Sequence, residues 1–166
     1  MPATKVRPRS GDTRKPIRMK ARDLMSPFPE CIRPGASVQE AAVRMRAFGI
    51  GFLPVVSGEE VVGVITDRDL VTRALSTGLP GNRIPVSDVM TTNVICCEAG
   101  ASVDTIARTM AVLQVRRVLV VGPGRRLIGV IGLGDLAGAR YETLAALILG
   151  FTSRVLPSVP SALPGL

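Results

Sequence analysis

A chain of 166 residues with 46% apolar content falls within the roughly 100–200 residues of a typical domain and can bury one good core. No apolar run approaches the roughly 18 residues that cross a bilayer, and the chain begins basic and polar, so a cytoplasmic protein without a membrane partner is expected. Histidine is absent, and with it the usual general base and the commonest metal ligand, so neither an enzyme nor a metal site is expected.

The net charge of +8 is unevenly placed. Residues 1–22 hold Lys5, Arg7, Arg9, Arg14, Lys15, Arg18, Lys20 and Arg22 against Asp12 alone, so all but one unit of the excess belongs to this stretch. Residues 1–20, with prolines at 2, 8 and 16, are expected to be a disordered basic tail. It reads either as a solvated appendage or, from Lys5 to Arg22, as an electrostatic contact for nucleic acid or another acidic partner.

Residues 21–77 form a first unit. In GASVQEAAVRMRAF, Ser37 precedes a helical stripe of Val38, Ala41, Ala42, Met45 and Phe48, and Ser37 with Glu40 fits a capping box. LPVVSGEEVVGVIT (53–66) is two β-branched runs around a glycine turn, as in a hairpin. LVTRAL then places Leu70, Val71, Ala74 and Leu75 on one helix face. A Gly/Pro-rich linker, GLPGNRIP (78–85), follows.

Residues 86–140 repeat the unit. At an offset of 65, Asp23, Met25, Cys31, Gly35, Ser37, Val38 and Met45 meet Asp88, Met90, Cys96, Gly100, Ser102, Val103 and Met110. After one inserted residue, Gly63, Val64, Ile65, Asp69 and Leu70 meet Gly129, Val130, Ile131, Asp135 and Leu136. Ser102 again precedes a stripe of Val103, Ile106, Ala107 and Met110, and VLVVGPGRRLIGVIG (118–132) is the second hairpin. Both copies expose apolar faces, so packing sheet to sheet around a common core is expected. In residues 141–166, Leu144, Leu147, Ile148, Phe151 and Val155 make a helical stripe before a Pro-rich tail.

The repeat length, the methionine at each start and the GVITDRDL motif make the chain similar to a tandem pair of CBS domains, named for cystathionine β-synthase, over about residues 21–140. The fold the resemblance implies is α+β: two CBS repeats, each a small sheet with two packed helices, related by pseudo-twofold symmetry. It also implies a homodimer.

In GVITDRD a strand ends at Thr66 and a helix begins near Asp67. The residues alone allow two readings: Thr66 caps the helix and Asp69 opposes its dipole, or Thr66 receives a phosphate and Asp69 a ribose diol. The resemblance favours the second, because Gly63, Thr66 and Asp69, with Arg68 between them, match the family's phosphate and ribose motif. In the second copy Gly132 replaces Thr66, Gly134 replaces Arg68, and Asp135 remains. Arg116 and Arg117 resemble phosphate ligands of the crevice that holds Asp135; they also read as a solvated face beside a dead site.

The resemblance further implies that each crevice borrows from the other copy. Thr92, Asn93, Val94 and Ile95 would lie near Thr66 and Asp69; Pro27, Phe28, Pro29 and Cys31 would lie near Asp135. Cys31 and Cys96 occupy equivalent places, but a small buried hydrophobe explains them better than redox sensing. The function implied is a regulatory, nucleotide-binding module for an adenosine compound (AMP, ADP, ATP or S-adenosylmethionine), requiring no cofactor and signalling to a protein target. The other readings are a ligand-free docking module and a nucleic-acid accessory protein acting through the tail.

Overall fold

The computed structural model describes residues 19–139. The basic residues before Met19 and the apolar stripe from Leu144 to Val155 lie outside the described residues.

The elements follow in order: α1 (Ala21–Leu24), β1 (Ser26–Pro27), α2 (Val38–Phe48), β2 (Phe52–Ser57), β3 (Glu60–Thr66) and α3 (Asp67–Asp69). The chain continues from α3 into a π-helical turn, Leu70–Ala74, and a 3-10 turn, Leu75–Thr77. The second half runs α4 (Val86–Val89), β4 (Cys96–Glu98), α5 (Val103–Leu113), β5 (Arg117–Val121), β6 (Leu127–Gly132) and α6 (Leu133–Ala139).

The repeat in the sequence is a repeat in register. β2 and β3 pair antiparallel, as do β5 and β6, and both hairpins shift register at equivalent places, Val55/Val56 and Val120/Val121. β4 joins β5 in parallel through Cys97 opposite Val120. In the first copy the same contact is reduced to one bridge, Ile32 opposite Val55.

The copies exchange their leading segments. β1 of the first copy pairs with β6 of the second, Ser26 opposite Val130 and Pro27 opposite Gly129. Reciprocally, Thr91 pairs with Val64. The close approach needs glycine: a Cβ on Gly63 would lie 2.6 Å from Met90 Sδ, and one on Gly129 2.6 Å from Met25 Sδ. Gly63, expected at the nucleotide, is thus buried beneath the other copy's methionine, and its lack of a side chain serves packing.

This exchange corrects the expectation of one common core. Two apolar clusters form. One joins Val38, Ala41, Met45, Leu53, Val55 and Ile65 to Ile84, Val86 and Val89; the other joins Val103, Ile106, Met110, Val118 and Ile131 to Ala21. Each sheet face is covered by its own copy's helices and the other copy's leading turn, so the apolar area is consumed twice, separately. Fully burying each such side chain is worth about 1.5–3 kcal/mol. The supposed linker ends inside this arrangement: Ile84 is buried, its carbonyl accepts from Val38 N at 2.9 Å, and Pro85 bridges Ser37.

Ser37 and Ser102 cap α2 and α5, accepting from Glu40 N and Thr105 N at 3.1 Å each. The capping box at Ser37 does not close, because the Glu40 carboxylate turns to Arg44 at 2.9 Å. Val38, Ala41 and Met45 are buried as expected, but Ala42 and Phe48 face outward, whereas the equivalent Ala107 is buried. After α3 only Ala74 of the expected stripe is buried; Leu70 is half-buried, and Val71 and Leu75 are exposed, because the π-helical turn spreads residues that a regular helix would align.

Candidate functional site

A crevice of about 380 Å³ opens where the two copies meet, within the range of small-molecule sites. From the first copy come Gly51, Phe52, Val64, Thr66, Asp67, Arg68 and Asp69. From the second come Thr91, Asn93, Val94, Ile95, Val115, Arg116, Arg117 and Leu119. The geometry follows from the exchange: the Thr91–Val64 bridge lays the chain after Thr91 alongside the end of β3, where α3 starts.

Thr66 and Asp69 form a closed capping box. Asp69 N donates to Thr66 Oγ1 at 3.2 Å, while Thr66 N and Thr66 Oγ1 donate to Asp69 Oδ2 at 2.9 and 2.7 Å. Asp69 is the buried charged residue among the described ones, 8% exposed. Burying a carboxylate is costly unless it is paired, and Arg73 supplies the charge, with Nη1 3.4 Å from Asp69 Oδ1. The cap and the ligand reading are therefore compatible: Oδ2 closes the turn, while Oδ1 faces Arg73 and takes no part in the cap.

Arg116 and Arg117 were expected on the side of Asp135. Both residues line the Thr66 crevice, while the Arg116 carbonyl accepts from Leu133 N of α6 at 3.2 Å. The cause is the pairing of β5 with β6. Arg117 stands opposite Gly132, and its guanidinium carbon lies 5.2 Å from the centroid of the Phe52 ring across the junction. Such a contact favours a cation over an aromatic face. With Arg68 this gives three arginines lining one crevice, against Asp67 and Asp69, over a bed of Val64, Val94, Ile95, Val115 and Leu119.

Asn93, Val94 and Ile95 stand near Thr66 as the resemblance implies; Thr92 is exposed and does not line the crevice. On the other side, Gly132 N donates to Asp135 Oδ2 at 2.7 Å, so the backbone half of the cap survives without the hydroxyl. Pro27 reaches β6, and Phe28 is 94% exposed. Cys31 departs from expectation: it lines a separate groove with Arg33, Glu40 and Arg44, because residue 32 is drawn onto β2 of its own copy. Pro29 follows, half-buried.

Besides Thr91 and the apolar Phe52, Val64, Val115 and Leu119, the residues of this arrangement not read from the sequence as site residues include Gly51, Asp67 and Arg73. A Cβ on Gly51 would lie 2.5 Å from Asp67 Oδ2, so glycine there makes room for that carboxylate. Arg73 had a signal, its i,i+4 spacing from Asp69. Nothing activates the cysteines as thiolates: burial pushes the thiols of Cys31 and Cys96 up, and that of Cys97 up to about 11.

The CBS domain profile matches the chain twice, over residues 21–76 and 86–142. Hypoxic response protein 1 of Mycobacterium tuberculosis is 32% identical over 118 residues, 70% of this chain and 82% of that protein. A crystal structure of Hypoxic Response Protein I with two coordinated zinc ions has a TM-score of 0.67 at 31% identity, covering 74% of this chain and 99% of that one. Among the described residues here, no group of three or more Cys, Asp or Glu side chains gathers to hold a metal ion. CBSX2 in complex with AMP has a TM-score of 0.64 at 26% identity over 72% and 94% of the two chains. The CBS domain pair of MJ0100, in complex with 5'-methylthioadenosine and S-adenosyl-L-methionine, has 0.63 at 28% over 73% and 94%.

Proposed function

From a chain that belongs to the CBS domain family and carries two copies in tandem, we propose a non-catalytic regulatory module that binds an adenosine compound in the crevice between them. The observation that carries this reading is the meeting of Thr66 and Asp69 from one copy with Asn93–Ile95 and Arg116–Arg117 from the other. The apolar bed suits a purine, Asp69 Oδ1 can accept from a ribose hydroxyl, and the three guanidinium groups suit phosphate oxygens. The relatives solved with AMP and with S-adenosyl-L-methionine support the ligand class.

Binding regulates only if the ligand prefers one arrangement of the copies over another. The output passes to a protein target, and the module works as a homodimer in the cytoplasm. The exposed Val43 and Phe48 of α2, with Val112 and Leu113 of α5, support an association surface. No helix among the described residues is long and apolar enough to cross a membrane.

Calorimetric titration of nucleotide-stripped protein with AMP, ADP, ATP and S-adenosylmethionine tests the reading. Binding of at least one is expected, weakened tenfold or more by Asp69→Ala and less by Asp135→Ala; tenfold is about 1.4 kcal/mol. Arg117→Ala should weaken the nucleotides and leave adenosine unaffected. Failure of all four compounds to bind would overturn the reading in favour of a ligand-free docking module.

A further inference from the structure

Arg73 lies outside the lining of the crevice, yet it touches both of the copies that build it. Its Nη1 donates to the Val89 carbonyl at 2.9 Å and to Thr91 Oγ1 at 3.1 Å, and stands 3.4 Å from Asp69 Oδ1. Val89 closes α4, and Thr91 carries the bridge to Val64; both belong to the leading segment of the second copy. Two residues later that segment becomes Asn93, Val94 and Ile95, one wall of the crevice.

The local backbone is unusual at the same point. Arg73 lies in the five-residue π-helical turn Leu70–Ala74 that follows Asp69 directly. Such turns are rare and recur at functional sites, where the wider turn re-aims side chains. Because Asp69 Oδ2 is occupied by both donors of Thr66, Oδ1 is the oxygen left to a ligand hydroxyl, and Arg73 is the group that fixes it. At the equivalent place in the second copy the sequence has Ala139 in place of an arginine.

We propose that Arg73 is a positioning residue that couples Asp69 to the leading segment of the second copy, so that a ligand held by Asp69 also fixes how the two copies meet. The coupling is one-sided among the described residues: occupancy of the Thr66 crevice is transmitted through Arg73, and no described side chain ties Asp135 to the leading segment of the first copy in the same way. The inference rests on the adenosine reading of the crevice and adds to it the residue through which binding is communicated.

The full chain is titrated with AMP and ATP as probes, as wild type, Arg73→Gln and Arg73→Lys, and amide hydrogen exchange is followed with and without the nucleotide. Arg73 is half-exposed, so neither substitution leaves a buried void. Arg73→Gln is expected to weaken nucleotide binding about tenfold, as for loss of a charge-assisted contact, and to abolish nucleotide-induced protection at the Met90 and Thr91 amides. Arg73→Lys, which keeps a cationic donor, should recover most of both. Wild-type affinity and protection in Arg73→Gln would overturn the proposal. So would equal losses in both variants accompanied by faster exchange at Ile65 in the core, which would reveal a purely structural role. If wild type binds neither these nucleotides nor ADP nor S-adenosylmethionine, the adenosine reading itself fails, a separate result.

Discussion

The two copies share a backbone plan and differ where a ligand would be held. In both, the aspartate one turn into a short helix accepts from the backbone N–H that ends the preceding strand, Thr66 N at 2.9 Å and Gly132 N at 2.7 Å. The first copy adds a hydroxyl from Thr66 and a guanidinium from Arg73; the second has Gly132 and Ala139 there. At the hairpin entrance the exchange runs the other way. Gly51 leaves room for Asp67 in the first copy, whereas Arg116 faces Leu133 in the second, and both pairs keep the same backbone bond at 3.2 Å. Divergence therefore touched side chains and spared the hydrogen bonds that define the fold. The crevice that retains the Thr–Asp pair also receives the arginines.

The symmetry of the junction is the most damaging place to probe this comparison. Gly129→Val would drive side-chain atoms into Met25, whose Cβ is already 3.1 Å from the added carbon, and should destabilise by about 1–3 kcal/mol. Gly63→Val meets Met90 Sδ and the Thr91 carbonyl, and should cost a similar amount if the exchange of leading segments is reciprocal. Urea denaturation of the two variants measures this, and a large inequality would break the pseudo-twofold account.

The aspartates come next. Asp69→Ala loses two Thr66 donors and the carboxylate beside Arg73, at a cost of about 2–3 kcal/mol, whereas Asp135→Ala loses one backbone donor, at about 1 kcal/mol. Equal midpoint shifts in chemical denaturation would show that the hydroxyl and the arginine add nothing to the first cap.

Conversion of the second copy toward the first should have a smaller effect of opposite sign. A Cβ at Gly132 would meet Asp135 Oδ2 at 3.6 Å, ordinary contact. Gly132→Thr should therefore close a capping box and stabilise the chain by about 0.5–1 kcal/mol, through the cap and the stiffer unfolded chain. The reverse change, Thr66→Gly, should destabilise by a similar amount.

A further effect, confined to alkaline pH, is one of titration. The Cys97 thiol titrates near 11 in the folded chain, raised by burial and by Cys96, against 9.0 as the ordinary value. Between these values the unfolded chain has released a proton that the native one retains, so native stability falls as pH rises from about 9 to 11 and is unaffected by this group below 9. The thermal midpoint should decline less steeply across that window in Cys97→Ala than in wild type. Identical slopes would remove Cys97 from the balance.

Much of this molecule was legible in its sequence because repetition is a one-dimensional signal. Matched glycines, methionines and capping serines at offsets of 65 and 66 define the two hairpins and the two long helices, since period-2 and period-3.6 patterns depend on neighbours along the chain. Thr66 and Asp69 were legible for the same reason: their cap spans three residues. Tertiary structure decided what the repeat could not encode in one copy. Met90 lies over Gly63, which is therefore a packing glycine, and Met25 over Gly129. The apolar residues divide into two clusters because each leading segment crosses to the other copy. Arg116 and Arg117 line the Thr66 crevice, and Cys31, expected near Asp135, lines a separate groove, because strand pairing sets which neighbours a residue meets. Arg73 finds Val89 and Thr91 16 and 18 residues away. Contacts at that separation depend on how two folded copies meet, and no local pattern of apolar and polar residues specifies that.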